Sequence, residues 1–140
     1  MRVIAGKFKG KILKEFELQT TRPTADLVRG ALFNVIGFNI ENASFLDLFS
    51  GTGAVGIEAL SRSAGKCIFV DANKDAIKLI NKNLQSIDAN NYEIYFEDYK
   101  LVLKKFSLNN YLFDIVFLDI YVHPLQHIVI RVYFYIYIVS

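Results

Sequence analysis

The chain of 140 residues holds a single cysteine, no acidic residue ahead of Glu15 and, after Asp119, no Lys, Asp or Glu at all. One thiol excludes an intramolecular disulfide, and Cys67 lies in the apolar run "CIFV", where a small buried side chain is expected rather than a nucleophile. The lack of early acids leaves Arg2, Lys7, Lys9, Lys11 and Lys14 unopposed, although the net charge of the whole chain is only +2. Attraction to nucleic acid would therefore come from that local cluster and not from the overall charge. The start "MRVIAGKFKGK" has no apolar core of the kind a signal peptide needs, so a cytoplasmic location is expected. Nor is there an unbroken apolar run of the roughly 20 residues that cross a bilayer. Arg131 splits "HIVIRVYFYIYIVS", so no membrane segment is expected there. No internal repeat or low-complexity linker divides the chain, and its length suits one domain around one core, expected to act as a monomer.

What is present reads in order. Residues 2 to 16 suggest two short strands joined near Gly6 and Gly10, a basic hairpin in which the cations alternate with Val3, Phe8, Ile12 and Leu13. A solvated charged face is the plainer reading of the same cations. "TRPTADLVRGALFNVIGF" predicts a helix with Thr24 as N-cap, Asp26 in its first turn, a stripe of Leu27, Val28, Ala31, Leu32, Val35 and Ile36, and Gly37 as its stop. Gly30 inside it costs about 1 kcal/mol relative to alanine.

From residue 43 strands and helices alternate: "ASFLDLF", the helix "AVGIEALSRSAG" closed by Gly65, "KCIFVD", "ANKDAIKLINKNLQSI", "YEIYFED", "YKLVLKKF" and "YLFDIVFLD". Such alternation means parallel strands with right-handed crossovers, and near-continuous apolar runs mean burial on both faces. The expectation is an α/β domain over residues 1–140: a doubly wound, mostly parallel Rossmann-like sheet, incomplete at its C-terminal end. Within it, residues 1–16 form the hairpin, 17–119 the core and 120–140 an aberrant tail.

Gly51, Gly53 and Gly56 in "DLFSGTGAVGIEAL" make a strand, glycine turn and helix, the arrangement that lets a backbone approach a bound ligand closely. Alone, the spacing also fits a purely structural turn. A dinucleotide would lay its pyrophosphate on the helix N-terminus, where the nearby Asp47 opposes it. Asp47 suits a ligand with a cationic end. Asp71 closes the second strand, where a carboxylate accepts the hydroxyls of a ribose, and Asp98 closes the third, within reach of an adenine amine. Amine, ribose and adenine across three strand ends describe S-adenosylmethionine, while the competing reading has each aspartate capping the helix that follows it.

The segments "TRPTADLVRGALFN", "FLDLFSGTGAVGIEALSRSA" and "FVDANKDAI", with the "MRVIAGKFKGK" start, resemble the bacterial methyltransferases that modify a guanine N2 of 16S ribosomal RNA. The resemblance covers residues 1 to 119. It implies S-adenosylmethionine contacts from Asp47, Gly51, Gly53, Asp71, Ala72 and Asp98, with Arg22 and Thr24 beside the methionine end. It also implies a partner, 16S rRNA or the assembling small subunit, held in part by Arg2, Lys7, Lys9 and Lys11. Gly30 departs from the glutamate usual in the family.

In that family an Asp-Pro-Pro-Tyr type motif ends the fourth strand, orients the target amine and stacks on the flipped base. Here the sequence is "DIYVHPL": Asp119 is kept, both prolines are absent, and Tyr121 comes one residue early. Asp119 and Tyr121 are the candidate catalytic residues, although an ordinary buried strand tyrosine is the preferred reading of Tyr121. Without the prolines the strand is free to continue, and "VYFYIYIV" has the profile of an aggregation-prone strand. His123 and His127 have metal-like helical spacing but no third ligand, so no metal is expected. Loss of charge and of motif together suggests a truncated or frameshifted chain. Three functions stay open: the methyltransferase, a noncatalytic remnant binding S-adenosylmethionine or RNA, and a nicotinamide-dependent oxidoreductase.

Overall fold

The structure, a computed structural model, describes residues 1–17, 23–120 and 130–134, with residues 23–25, 119–120 and 130–134 described by their backbone alone. In chain order the elements are α1 (Pro23–Ile36), a 3₁₀ turn (Gly37–Ile40), β1 (Ser44–Asp47), α2 (Ala54–Ser61), β2 (Lys66–Asp71), α3 (Lys74–Ser86), β3 (Tyr92–Phe96), α4 (Tyr99–Leu108), β4 (Ile115–Ile120) and β5 (Ile130–Phe134). They build one sheet in the order β3-β2-β1-β4-β5. The first four strands run parallel, and β5 pairs antiparallel with β4. The doubly wound α/β expectation is met, because the chain returns through a helix between each pair of parallel strands.

Strand alternation sorts the core into two layers. Phe45, Cys67, Phe69, Ile115 and Phe117 face one side, where Phe33 and Ile36 of α1, Ile57 and Leu60 of α2, and Ile80 and Leu84 of α3 cover them. Leu46, Ile68, Val70, Val116 and Leu118 face the other, against Val102 and Phe106 of α4. Both faces of β1 and β2 are therefore sealed, as apolar runs without polar alternation require.

Several local expectations are corrected. Helix α1 begins at Pro23, one residue before the expected cap Thr24. Proline suits a first turn because its missing N–H would have had no partner there. The helix also faces differently. Leu27 and Val35 are each 74% exposed, while Arg29, Phe33 and Ile36 are buried. Two contacts turn it: the Phe33 ring stacks on Phe45 with centroids 6.2 Å apart, and Arg29 reaches a buried carboxylate on α2. Helix α2 stops at Ser61 rather than at Gly65, because Ser63 takes a left-handed φ of 75°.

The hairpin is reduced to a single antiparallel bridge, Arg2 with Ile12, flanked by Val3 N–H to the Lys11 carbonyl at 3.0 Å and Leu13 N–H to the Met1 carbonyl at 2.9 Å. A longer ladder is pre-empted by α2. Ile4 and Ala5 donate their N–H groups to Glu58, while Lys7 and Phe8 donate theirs to the carbonyl and Oγ of Ser61. Val3 and Leu13 are buried as expected, but Ile12 is exposed.

Packing generates two predictions. A Cβ on Gly30 would meet only Ile4 Cδ1 at 3.7 Å, an ordinary contact. Gly30→Ala should therefore stabilise the fold by about 0.5–1 kcal/mol, read as a higher urea midpoint at unchanged slope. Cys67 is fully buried, and burial, then the nearby Asp47 charge, pushes its thiol well above the usual range. A thiol reagent, which needs the thiolate, should label Cys67 only as fast as the protein unfolds.

Candidate active site

The site is assembled at the C-terminal ends of the parallel strands, and the sheet order reverses there, with β2 on one side of β1 and β4 on the other. Crevices of α/β sheets open at such a switch point. The glycine turn fills its floor. Gly51 and Gly53 adopt φ of 56° and 81°, a left-handed path that other residues take only under strain, and Gly53 is the N-cap of α2. Gly56 is excluded from carrying a side chain for a different reason: a Cβ would lie 2.3 Å from the Phe69 ring.

The acids stand on a staircase. Asp47 is in register with Phe69 of β2 and with Phe117 of β4, so Asp71 and Asp119 each lie two residues further along their strands. Asp71 is in register with Phe96, and Asp98 lies two residues beyond that. Each step is about 6.6 Å of strand rise. Asp47 thus sits deepest, with Asp71 and Asp98 climbing one wall and the backbone of Asp119 set on the other.

Their contacts differ with depth. Asp47 is 1% exposed, and its Oδ2 accepts the Gly56 N–H at 3.1 Å, which ties the first turn of α2 to β1 from behind the loop. Asp71 accepts the Gly51 N–H on Oδ2 and the Asn73 N–H on Oδ1, both at 2.9 Å. It clamps the glycine turn to the end of β2, beside the exposed Ala72. Asp98 is exposed and caps α4 by accepting the Lys100 N–H at 2.8 Å. The capping reading is right for Asp98, and Asp47 likewise accepts a first-turn N–H of the helix that follows it, while Asp71 binds loop backbone. A carboxylate offers about four lone-pair positions, so Asp71 and Asp98 both retain acceptor capacity toward a ligand.

Of the remaining candidates, Arg22 and Tyr121 lie outside the described residues, as do His123 and His127, and Thr24 is described by backbone only. Strand β4 runs to Ile120, one residue past Asp119. Arg2, Lys7, Lys9 and Lys11 are exposed. Lys7 stands away from the crevice, however. Lys7 is pinned by its N–H to the Ser61 carbonyl at 2.9 Å, at the far end of α2 from the glycine turn. Among the described residues no group of three or more potential ligands could hold a metal, and no helix is long and apolar enough to cross a membrane.

Sequence reasoning missed the residues that hold this assembly together. Glu58 is completely buried in α2, accepts the Ile4 N–H at 2.8 Å, and stands 3.5 Å from both Arg29 Nε and Arg62 Nε. Asn83 of α3 accepts the Lys14 N–H at 2.8 Å and donates to the carbonyls of Lys14 and Thr52 at 3.1 and 2.9 Å. It joins the N-terminal segment to the glycine turn. The available signal was a polar residue at a buried helical position: Glu58 among Ile57, Ala59 and Leu60, and Asn83 three residues after Ile80.

The family model described as Conserved hypothetical protein 95 matches residues 1–121. The chain belongs to this family. It is 40% identical over 120 residues to the Bacillus subtilis protein named "Putative rRNA methyltransferase YlbH", covering 85% of this chain and 65% of that one. It is 36% identical over 120 residues to "Ribosomal RNA small subunit methyltransferase D" of Haemophilus influenzae, covering 85% and 62%. Among solved structures, the hypothetical protein TTHA0928 of Thermus thermophilus superposes with a TM-score of 0.74 at 25% identity, covering 84% of this chain and 67% of that one. The chain therefore spans less than two thirds of the length of these two curated relatives. Membership of the Conserved hypothetical protein 95 family bears out the resemblance seen in the Arg-Pro-Thr segment and the glycine loop.

Removing Glu58 would leave Arg29, itself 4% exposed, without its buried counter-charge. Glu58→Ala should cost about 3–5 kcal/mol in urea unfolding, and it should expose the N-terminal segment to limited proteolysis before the rest of the fold is lost.

Proposed function

We propose that the chain binds S-adenosylmethionine across the ends of β1, β2 and β3 and belongs to an enzyme that methylates the exocyclic N2 amine of a guanine in 16S ribosomal RNA. The observation that carries the reading is the staircase of Asp47, Asp71 and Asp98 on three adjacent strands around a left-handed glycine turn. The names of the relatives support the ribosomal substrate.

The donor set fits the ligand. Asp71, already oriented by two backbone N–H groups, would accept the ribose hydroxyls, and Asp98 would accept the adenine amine. Asp47, behind the loop, contributes a negative field that favours the ammonium and sulfonium end and disfavours a pyrophosphate. Arg22 and Thr24 are assigned to the methionine end. Gly51 and Gly53 let the backbone approach, and Ala72 leaves room for the nucleoside. Bound S-adenosylmethionine supplies an already activated methyl group. The protein's part is then to align the guanine amine and exclude water. Asp119, across the switch point from Asp71, is assigned that alignment as acceptor of the amine's hydrogen bond, with Tyr121 as the stacking ring.

One observation favours a second reading, a remnant that binds but does not transfer. Strand β4 continues through Ile120, where the family motif has its first proline. Calorimetric titration with S-adenosylmethionine and methyl transfer to unmodified small-subunit RNA decide between them. Asp71→Ala should weaken cofactor binding about ten- to hundredfold. Asp119→Asn should retain binding and lower transfer about a hundredfold. Cofactor binding with no transfer by the parent chain would leave the remnant reading standing instead.

A further inference from the structure

Away from the glycine turn, the structure holds a concavity at the opposite end of the parallel strands. It opens between the tip of the N-terminal segment, the 3₁₀ turn after α1 and the end of α2, has a volume of about 630 Å³, and is lined by Lys7, Phe33, Asn34, Phe38, Arg62 and Ser63, among others. Because the 3₁₀ turn precedes β1 and the end of α2 precedes β2, the cleft lies where the parallel strands begin. The eight residues of α2 separate it from the glycine turn by about 12 Å.

The chemistry of its walls is specific. Among the described residues Phe38, at 94% exposed, is the most exposed of the large apolar side chains, and none of the ring pairs includes it. Phe33, deeper in the cleft, already carries Arg62 over its face at 5.0 Å. Arg62 is charge-balanced by Glu58, but Lys7 is exposed and makes no ion pair among the described residues, and no Asp or Glu lines the cleft. The backbone at Lys7 is placed by Gly6, whose φ of 84° brings Gly6 against α2 so closely that a Cβ would fall 1.9 Å from the Ser61 carbonyl oxygen. An exposed ring, a lysine whose ammonium rests over the Phe8 ring at 5.2 Å with no carboxylate paired to it among the described residues, and an Asn34 side chain together form the set that takes a stacked base, its phosphate and its polar edge. The cleft is shallow and open to solvent, so it suits a base laid on its surface and not an enclosed ligand.

We infer that this rear cleft is a second RNA-contact site, in which an unpaired nucleotide outside the target stacks on Phe38 while Lys7 holds its phosphate. The inference rests on the reading that the chain acts on RNA. Lys9, whose N–H bonds the Gly6 carbonyl at 3.1 Å, extends the basic edge for the neighbouring phosphate.

Fluorescence anisotropy of the full chain with a labelled, unstructured oligouridylate of about 12 nucleotides tests it. Phe38→Ala should weaken binding about 5- to 150-fold, the range one base–aromatic stack supplies. Phe38→Tyr should restore it. Lys7→Gln should flatten the salt dependence of log K by about 0.7 for the one phosphate lost. Equal affinity of the parent and Phe38→Ala overturns the rear site alone. A parent that binds S-adenosylmethionine but no RNA overturns both the rear site and the ribosomal substrate. A loss confined to small-subunit particles and absent on the oligonucleotide overturns the RNA assignment in favour of a protein contact.

Discussion

The buried carboxylate of Glu58 is the interaction on which the rest of the assembly depends. A fully desolvated charge is tolerable only where opposite charges and N–H donors surround it, and Glu58 has Arg29 from α1, Arg62 from the end of its own helix and the backbone of Ile4 and Ala5. Three segments that are distant in the chain are fixed to one another by that requirement. Arg29 extends the link by donating to the Arg2 carbonyl at 2.5 Å and to Asp26 at 3.1 Å. Helix α1 is thereby rotated, the N-terminal segment is laid along α2, and its basic tip is carried to the rear of the sheet.

The crevice depends on the same scaffold at one remove. Helix α2 enters through Gly53 and is held by Asp47, while Asn83 ties Thr52 in the glycine turn to Lys14. The carboxylates near the crevice thus act on the scaffold before they act on any ligand: Asp47 commits an acceptor position to Gly56 in the first turn of α2, and Asp71 one to Gly51 in the loop. Such binding to backbone N–H preorganises the turn, so a ligand entering it meets groups already in place.

Front and rear are then two ends of one short helix. Cofactor chemistry is proposed where α2 begins and a nucleotide contact where it ends, so a movement of α2 relative to the sheet would alter both. The close approaches at Gly56 to Phe69 and at Gly6 to Ser61 leave little room for such movement.

Much of this was legible in the chain. Alternating apolar runs and helical stripes specify the parallel sheet, because each strand must bury both faces whatever its neighbours are. The glycine turn and the acids at the strand ends are local features, readable from a few adjacent residues. The tertiary structure alone decided which face of α1 turns inward, since Leu27 and Phe33 are both strongly apolar and only the placement of Glu58 and Phe45 distinguishes them. It also reduced the hairpin to one bridge, because N–H groups of the N-terminal segment bond to α2 instead, those of Ile4 and Ala5 to the charged Glu58 carboxylate. The sequence by itself determined the sheet, the glycine turn and the family. The long-range pairing of buried polar groups, which has no local periodicity to reveal it, determined where the basic residues stand.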